Sequence, residues 1–100
     1  MKLTLREVEK VIKFHEAEIR AMGVKEIYVF GSVARGEATE SSDVDCFVVF
    51  EESAKAGLLK LARLQLFLEQ KLKTHVDLGT KNSLHRKLKD QILKEAVRVA

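Results

Sequence analysis

Two acidic side chains open a strongly apolar run in the segment Phe30 to Val49, FGSVARGEATESSDVDCFVV. Asp43 and Asp45 are two residues apart, so on an extended strand both carboxylates point to one face, with α-carbons roughly 6.5–7 Å apart. Two carboxylates this close repel each other, and burial raises the cost further. The pattern therefore favours neutralisation of the two carboxylates by a divalent ion, or by two ions about 3.5–4 Å apart. A solvated turn that carries both acids is the alternative.

Hydrophobic periodicity predicts a single domain over residues 1–100 in the order α-β-α-β-α-β-α. Its fold class is α/β (α+β), with a small mixed sheet of about three strands and flanking helices. The first helix begins after a candidate Thr4–Glu7 capping box, and Ser53 is a candidate N-cap for the third. The predicted helices span 5–22, a short turn within 32–42, 55–72 and 83–99, and the predicted strands span 26–30, 44–50 and 75–79.

A third acid, Asp77, lies in the short apolar strand HVDLG. About 24 residues that include a helix connect it to the strand at 44–50, which is long enough for a parallel crossover. The starts of two parallel neighbours lie side by side, so Asp77 is predicted near Asp43 and Asp45. A plain acid at the edge of the strand is the alternative.

Gly31 and Ser32 end the first strand just before a short helix. Glycine permits close approach to the backbone, and the first N–H groups of a helix lack partners, which favours phosphate. For this loop to face Asp43, the first two strands must run antiparallel. A phosphate-binding loop opposite metal-binding acids is the arrangement required for phosphoryl or nucleotidyl transfer from a metal-bound nucleoside triphosphate.

Gly-Ser, ten residues, Asp-x-Asp and a later Asp together resemble the nucleotidyltransferase superfamily related to DNA polymerase β. The run GSVARGEATESSDVDCFVV is similar to the minimal nucleotidyltransferases of bacteria and archaea, and the likeness extends over nearly the whole chain, including Glu95 to Val97. Cys46 stands where an aliphatic residue is usual. It points away from the two acids on an alternating strand and is expected to be a small core residue.

This resemblance implies the nucleotidyltransferase fold, ATP as substrate and two Mg²⁺ ions. It implies that Gly31 and Ser32 hold the triphosphate. Asp43 and Asp45 would bind both ions, and Asp77 would bind the ion that activates the acceptor hydroxyl and accept its proton.

Two further residues are candidates for nucleotide binding. Arg35 either contacts phosphate or pairs with Glu37 or Glu40 at the surface, and the sequence does not choose between them. Ser42 would cap or orient the loop that carries Asp43.

Only about 20 residues follow Asp77, so the acceptor site is expected to come from another molecule. The resemblance implies a HEPN ribonuclease toxin, with this protein as the antitoxin that transfers AMP to a tyrosine hydroxyl (a type VII system). The apolar helix at 55–72 and the basic last helix are candidate docking surfaces. A binding-only antitoxin, and a transferase for a small hydroxylated molecule with a separate substrate-binding subunit, are the alternatives.

Composition and charge indicate the cellular location and the kinds of partner that are expected. No apolar run reaches the roughly 18 residues of a membrane span, no secretory segment opens the chain, and Cys46 is the only cysteine, so a cytoplasmic protein is expected. Residues 1–52 hold 7 Lys/Arg against 11 Asp/Glu, and residues 53–100 hold 11 against 4. That charge asymmetry permits direct nucleic-acid binding but does not favour it. The apolar surface of the helix at 55–72 separately allows a homodimer.

Overall fold

Four strands form one mixed sheet in the computed structural model, which describes residues 3–51, 57–84 and 88–100. The strand order is β3-β2-β1-β4. β1 pairs antiparallel with both β2 and β4, whereas β2 and β3 are parallel, as the 24-residue helical connection predicted. The strands are β1 (Val24–Phe30), β2 (Val44–Phe50), β3 (Val76–Thr80) and β4 (Val97–Arg98).

The predicted first helix, 5–22, is two helices, α1 (Leu5–Phe14) and α2 (Glu16–Ala21). The backbone leaves helical geometry at His15, with φ −102° and ψ 19°, where the imidazole packs edge-on against Phe67 at 5.7 Å between ring centroids. The Thr4 hydroxyl accepts the Glu7 N–H at 3.2 Å, which forms one half of the predicted capping box. The sequence did not predict this break, because the apolar residues keep helical spacing from one helix into the next.

α3 (Gly31–Ala34) is a single turn, and α4 (Leu58–Leu72) is the longest helix described. α4 buries one face through Leu64, Leu68 and Leu72. It leaves other apolar side chains at the surface: Leu58 is 84% exposed, Leu59 65% and Leu66 60%. The predicted start of this helix at 55, and Ser53 as its N-cap, lie outside the described residues.

The prediction of one helix over 83–99 is wrong. A 3₁₀ helix (Lys81–Ser83) is followed by α5 (Lys89–Glu95), and the chain then becomes extended at Ala96, with ψ 136°. Val97 and Arg98 form β4 on the open edge of β1, which makes four strands rather than about three. A two-residue strand is too short to show a period, and the free edge that it covers exists only in the folded sheet.

The two faces of β2 have different neighbours. Val44, Cys46 and Val48 belong to the main core together with residues of α1, α2 and α4. Asp45 and Phe47 alternate with them and face the other way, where Phe47 stacks on Tyr28 at 4.8 Å. Asp45 is thus held beside an aromatic layer at the strand's start. Within the described ranges, no helix has both the length and the apolar character needed to cross a bilayer.

Candidate active site

The parallel pairing of β2 and β3 brings two of the predicted acids together. Asp45 is the register partner of Asp77, and Val44 is that of Val76. Adjacent strands are about 4.8 Å apart, so the two carboxyl groups are direct neighbours across the sheet. Asp43 is exposed and lies immediately before β2.

The negative charges of the candidate site acids repel one another, and the pKa of Asp45 shows this repulsion. Burial raises the pKa of the Asp45 carboxyl, and the charges of Asp77 and Asp43 raise it further. Arg35 partly offsets them, while Glu95 adds to the repulsion. A positive ion at this point would relieve that repulsion.

The donor chemistry suits a hard divalent cation, because the candidate ligands Asp43, Asp45 and Asp77 offer only carboxylate oxygens. Among the residues that the structure describes, no three His, Cys, Asp or Glu side chains are already arranged to hold a metal ion. The three acids nevertheless suit Mg²⁺ by the type of their donor atoms and by the repulsion that a cation would relieve.

Gly31 is the point where the backbone comes closest to the acids. It begins α3 with φ +74°, a conformation that favours glycine. A Cβ at this position would collide with Asp45 Oδ2 and would lie 3.3 Å from Asp45 Cγ. Gly31 is thus required for both its backbone angle and the space it leaves. The half-buried Ser32 follows it directly.

Arg35 lies at the end of α3 and forms ion pairs with two carboxylates. Its Nε donates to Glu37 Oε1 at 2.7 Å, and its Nη1 donates to Glu95 Oε2 at 3.0 Å. Both hydrogen bonds raise the pKa of the guanidinium, and the bond to Glu37 has the larger effect. Glu37 was one of the two predicted partners. Sequence reasoning missed Glu95 as a site residue, because its position depends on β4.

Ser42 closes the turn that leads into β2. Its hydroxyl accepts the Thr39 N–H at 2.9 Å, and its own N–H donates to the Thr39 carbonyl at 3.1 Å. These bonds fit a role in orienting the loop just before Asp43. Direct contact of Ser42 with nucleotide stays a prediction.

An open cleft of about 340 Å³ lies against these residues, with Gly31, Ser32, Asp45 and Glu95 in its wall. A second space of about 320 Å³ holds Asp77, and Phe30 and Ile92 line both. The Asp45–Asp77 pair therefore has open space on either side.

The fold and the site together define a nucleotidyltransferase, and comparison with known proteins agrees. Residues 5–99 match the family model described as the nucleotidyltransferase domain, so the chain belongs to this family. Protein adenylyltransferase MntA of Thermococcus cleftensis is 47% identical over 98 residues, which are 97% of each chain. The predicted resemblance to minimal nucleotidyltransferases is confirmed.

Two solved structures extend the comparison. One, provisionally described as a minimal nucleotidyltransferase, has a TM-score of 0.78 and 39% identity, with 95% of each chain covered. A toxin–antitoxin complex with AMP-PNP has a TM-score of 0.70 and 25% identity, with 93% of this chain and 72% of that chain covered. The predicted nucleotidyltransferase fold is thereby confirmed.

Proposed function

We propose that this protein is the cytoplasmic antitoxin of a type VII toxin–antitoxin pair and that it transfers AMP from ATP to a tyrosine hydroxyl of a HEPN ribonuclease toxin, with Mg²⁺ as cofactor. The observation that carries the proposal is the meeting of Asp45 with Asp77 on one neighbouring strand and with Gly31 at the end of the other. The relative named protein adenylyltransferase supports AMP transfer to a protein. The toxin–antitoxin complex with AMP-PNP supports both the partner and the nucleotide.

The reaction forms one phosphorus–oxygen bond and breaks another. The acceptor oxygen attacks the α-phosphorus, the bond from that phosphorus to the bridging oxygen breaks, and pyrophosphate leaves. The N–H of Gly31, the hydroxyl of Ser32 and the guanidinium of Arg35 donate to phosphate oxygens and orient the chain of phosphates. Asp77, exposed beside Asp45, accepts the proton of the acceptor hydroxyl.

Bound Mg²⁺ would supply charge neutralisation at the phosphates and a lower pKa of the acceptor hydroxyl. Asp43, Asp45 and Asp77 are the residues that would hold it. Their oxygen-only donor set and the raised pKa of Asp45 support this assignment.

The test combines the purified protein, a HEPN protein encoded beside it, Mg²⁺ and ATP labelled at the α-phosphate. We expect label on a tyrosine of the HEPN protein, located by mass spectrometry, and loss of at least about 100-fold in rate for Asp43→Asn or Asp45→Asn. Asp90→Asn is the matched control, because Asp90 is an exposed aspartate of α5. Full neutralisation of the toxin by a wild-type protein that transfers no label would overturn the enzymatic part.

A second candidate function, neutralisation by binding alone, is favoured by the exposed leucines of α4. Leu58 and Leu66 present apolar surface of the kind that protein partners cover. A double Asp43→Asn/Asp45→Asn variant distinguishes the two functions. Undiminished neutralisation of the toxin by that variant would favour masking, whereas loss of neutralisation would favour catalysis.

Transfer of AMP to a small hydroxylated molecule, with a separate substrate-binding subunit, would appear instead as label on an added small acceptor.

A further inference from the structure

The β1–β4 pairing sets the position of Glu95. Tyr28 pairs with Arg98, and Val29 pairs with Val97, in an antiparallel register. When that register is continued by two residues, Glu95 lies opposite Gly31. The backbone therefore brings a carboxylate to the nucleotide cleft, on the side of Gly31 away from Asp45.

The contacts made by Glu95 use the donors that the nucleotide needs. Its Oε1 accepts the Gly31 N–H at 3.3 Å, and Arg35 Nη1 donates to both oxygens, at 3.2 and 3.0 Å. The side chain of Glu95 is 19% exposed, so these bonds are formed in a partly desolvated place. A carboxylate and a phosphate oxygen compete for such donors on similar terms.

We propose that Glu95 is an internal competitor for the phosphates of the nucleotide: it holds the Gly31 N–H and Arg35 in the free protein and gives up both when the triphosphate binds. This inference rests on the proposed function, which assigns those two donors to the triphosphate. The negative charge of Glu95, in the wall of the same cleft as Gly31 and Arg35, also repels the phosphates themselves. Glu95 thus lowers affinity for nucleotide twice, by occupying donors and by repulsion.

Competition has a functional consequence for turnover. After transfer, pyrophosphate leaves donors that Glu95 is placed to recapture, so the carboxylate favours product release as well as opposing binding. The opposite role is that Glu95 positions Arg35 for phosphate. These two roles predict changes of opposite sign when the charge of Glu95 is removed.

The experiment measures the dissociation constant of Mg·ATP by calorimetry for the wild type, Glu95→Gln and Glu37→Gln. Glutamine keeps the shape and can still accept a hydrogen bond, so it removes mainly the charge. Glu37 is the matched control, since it also pairs with Arg35 but has no contact with Gly31 among the described hydrogen bonds. We expect Glu95→Gln to bind about threefold to tenfold more tightly at low salt, with a smaller gain at about 0.5 M salt.

For Glu37→Gln we expect a change of less than about twofold, because the side chain of Glu37 is 64% exposed and screened by water. Unchanged or weaker binding by Glu95→Gln would overturn competition, and weaker binding would instead assign Glu95 to positioning Arg35. An equal gain in both variants would also overturn the proposal, since it would place the effect on Arg35 alone.

The amide resonance of Gly31, followed by NMR without nucleotide, tests the contact separately from the function. We expect it to move in Glu95→Ala and to stay in place in Glu37→Ala. A Gly31 resonance unmoved in Glu95→Ala would overturn the inference. If the resonance moves but none of the proteins binds Mg·ATP, the proposed function fails and competition fails with it. If Mg·ATP binds with one affinity in all of them, the inference alone is wrong.

Discussion

Replacing Gly31 with alanine places one methyl group between the backbone of the cleft and Asp45. Gly36 supplies a matched control, because it has the same φ of +74° but no atom lies within 4 Å of the point where its Cβ would stand. Both substitutions force alanine into the left-handed region, which costs about 1 kcal/mol. Only the one at Gly31 adds a collision.

The size of that collision follows from the distances. The new methyl group would overlap Asp45 Oδ2 and would lie 3.3 Å from Cγ and 3.4 Å from Cβ of the same residue. Rotation of the carboxylate about the Cβ–Cγ bond relieves the first contact but not the tight one to Cγ, whereas the distance to Cβ is ordinary van der Waals contact. Such overpacking costs about 1–3 kcal/mol, so Gly31→Ala should lose about 2–4 kcal/mol of unfolding free energy, against about 1 kcal/mol for Gly36→Ala.

Urea unfolding followed by circular dichroism measures the stability difference, and AMP transfer measures the functional one. Because Asp45 must rotate away from the cleft, Gly31→Ala should reduce transfer by at least about 100-fold, whereas Gly36→Ala should stay within about threefold of wild type. Equal losses of stability in the two variants would refute the collision. Transfer at the wild-type rate by a folded Gly31→Ala protein would refute the role of Asp45.

Two further predictions concern ionisation. Burial and neighbouring carboxylates raise the pKa of Asp45 above its ordinary 3.8, so the metal-free fold loses stability as pH rises from about 3.8 to that raised pKa, and the loss levels off above it. In EDTA, Asp45→Asn should therefore be more stable than the wild type at pH 7 and equally stable at pH 3, while Asp90→Asn should gain nothing at either pH. Lower stability of Asp45→Asn than of the wild type at pH 7 in urea unfolding would contradict this. Cys46 is 1% exposed and burial raises its pKa to about 12, so iodoacetamide should label it at pH 8 only after unfolding; labelling of the folded protein would contradict its burial.

Much of the candidate site could be predicted from residue spacing and connection length in the sequence. The two-residue spacing of Asp43 and Asp45 and the apolar run after them predicted a strand opened by acids. The length of the helical connection predicted a parallel neighbour that carries Asp77. Both arguments depend only on the period of a strand and on the reach of a crossover, and the registers of β2 with β1 and with β3 agree with them.

Other features depended on contacts between distant parts of the chain. The break at His15 comes where its ring meets Phe67 of α4, although the apolar stripe continues through it. The end of the last helix at Glu95 was missed because Ala96 and Val99 continue the helical stripe of the preceding apolar residues. Local propensity could not separate these cases, since the deciding partner in each is far away in sequence.

The sequence by itself determined the chemistry of this protein: which side chains carry charge, which glycine permits close approach, and that the acids must meet a cation. The tertiary structure alone decided what stands opposite Gly31. Glu95 is 64 residues away along the chain, and it reaches the Gly31 N–H only because β4 covers the open edge of β1. Strand registry across a sheet is a property of the assembled fold, so the group that occupies the nucleotide's donors became visible only there.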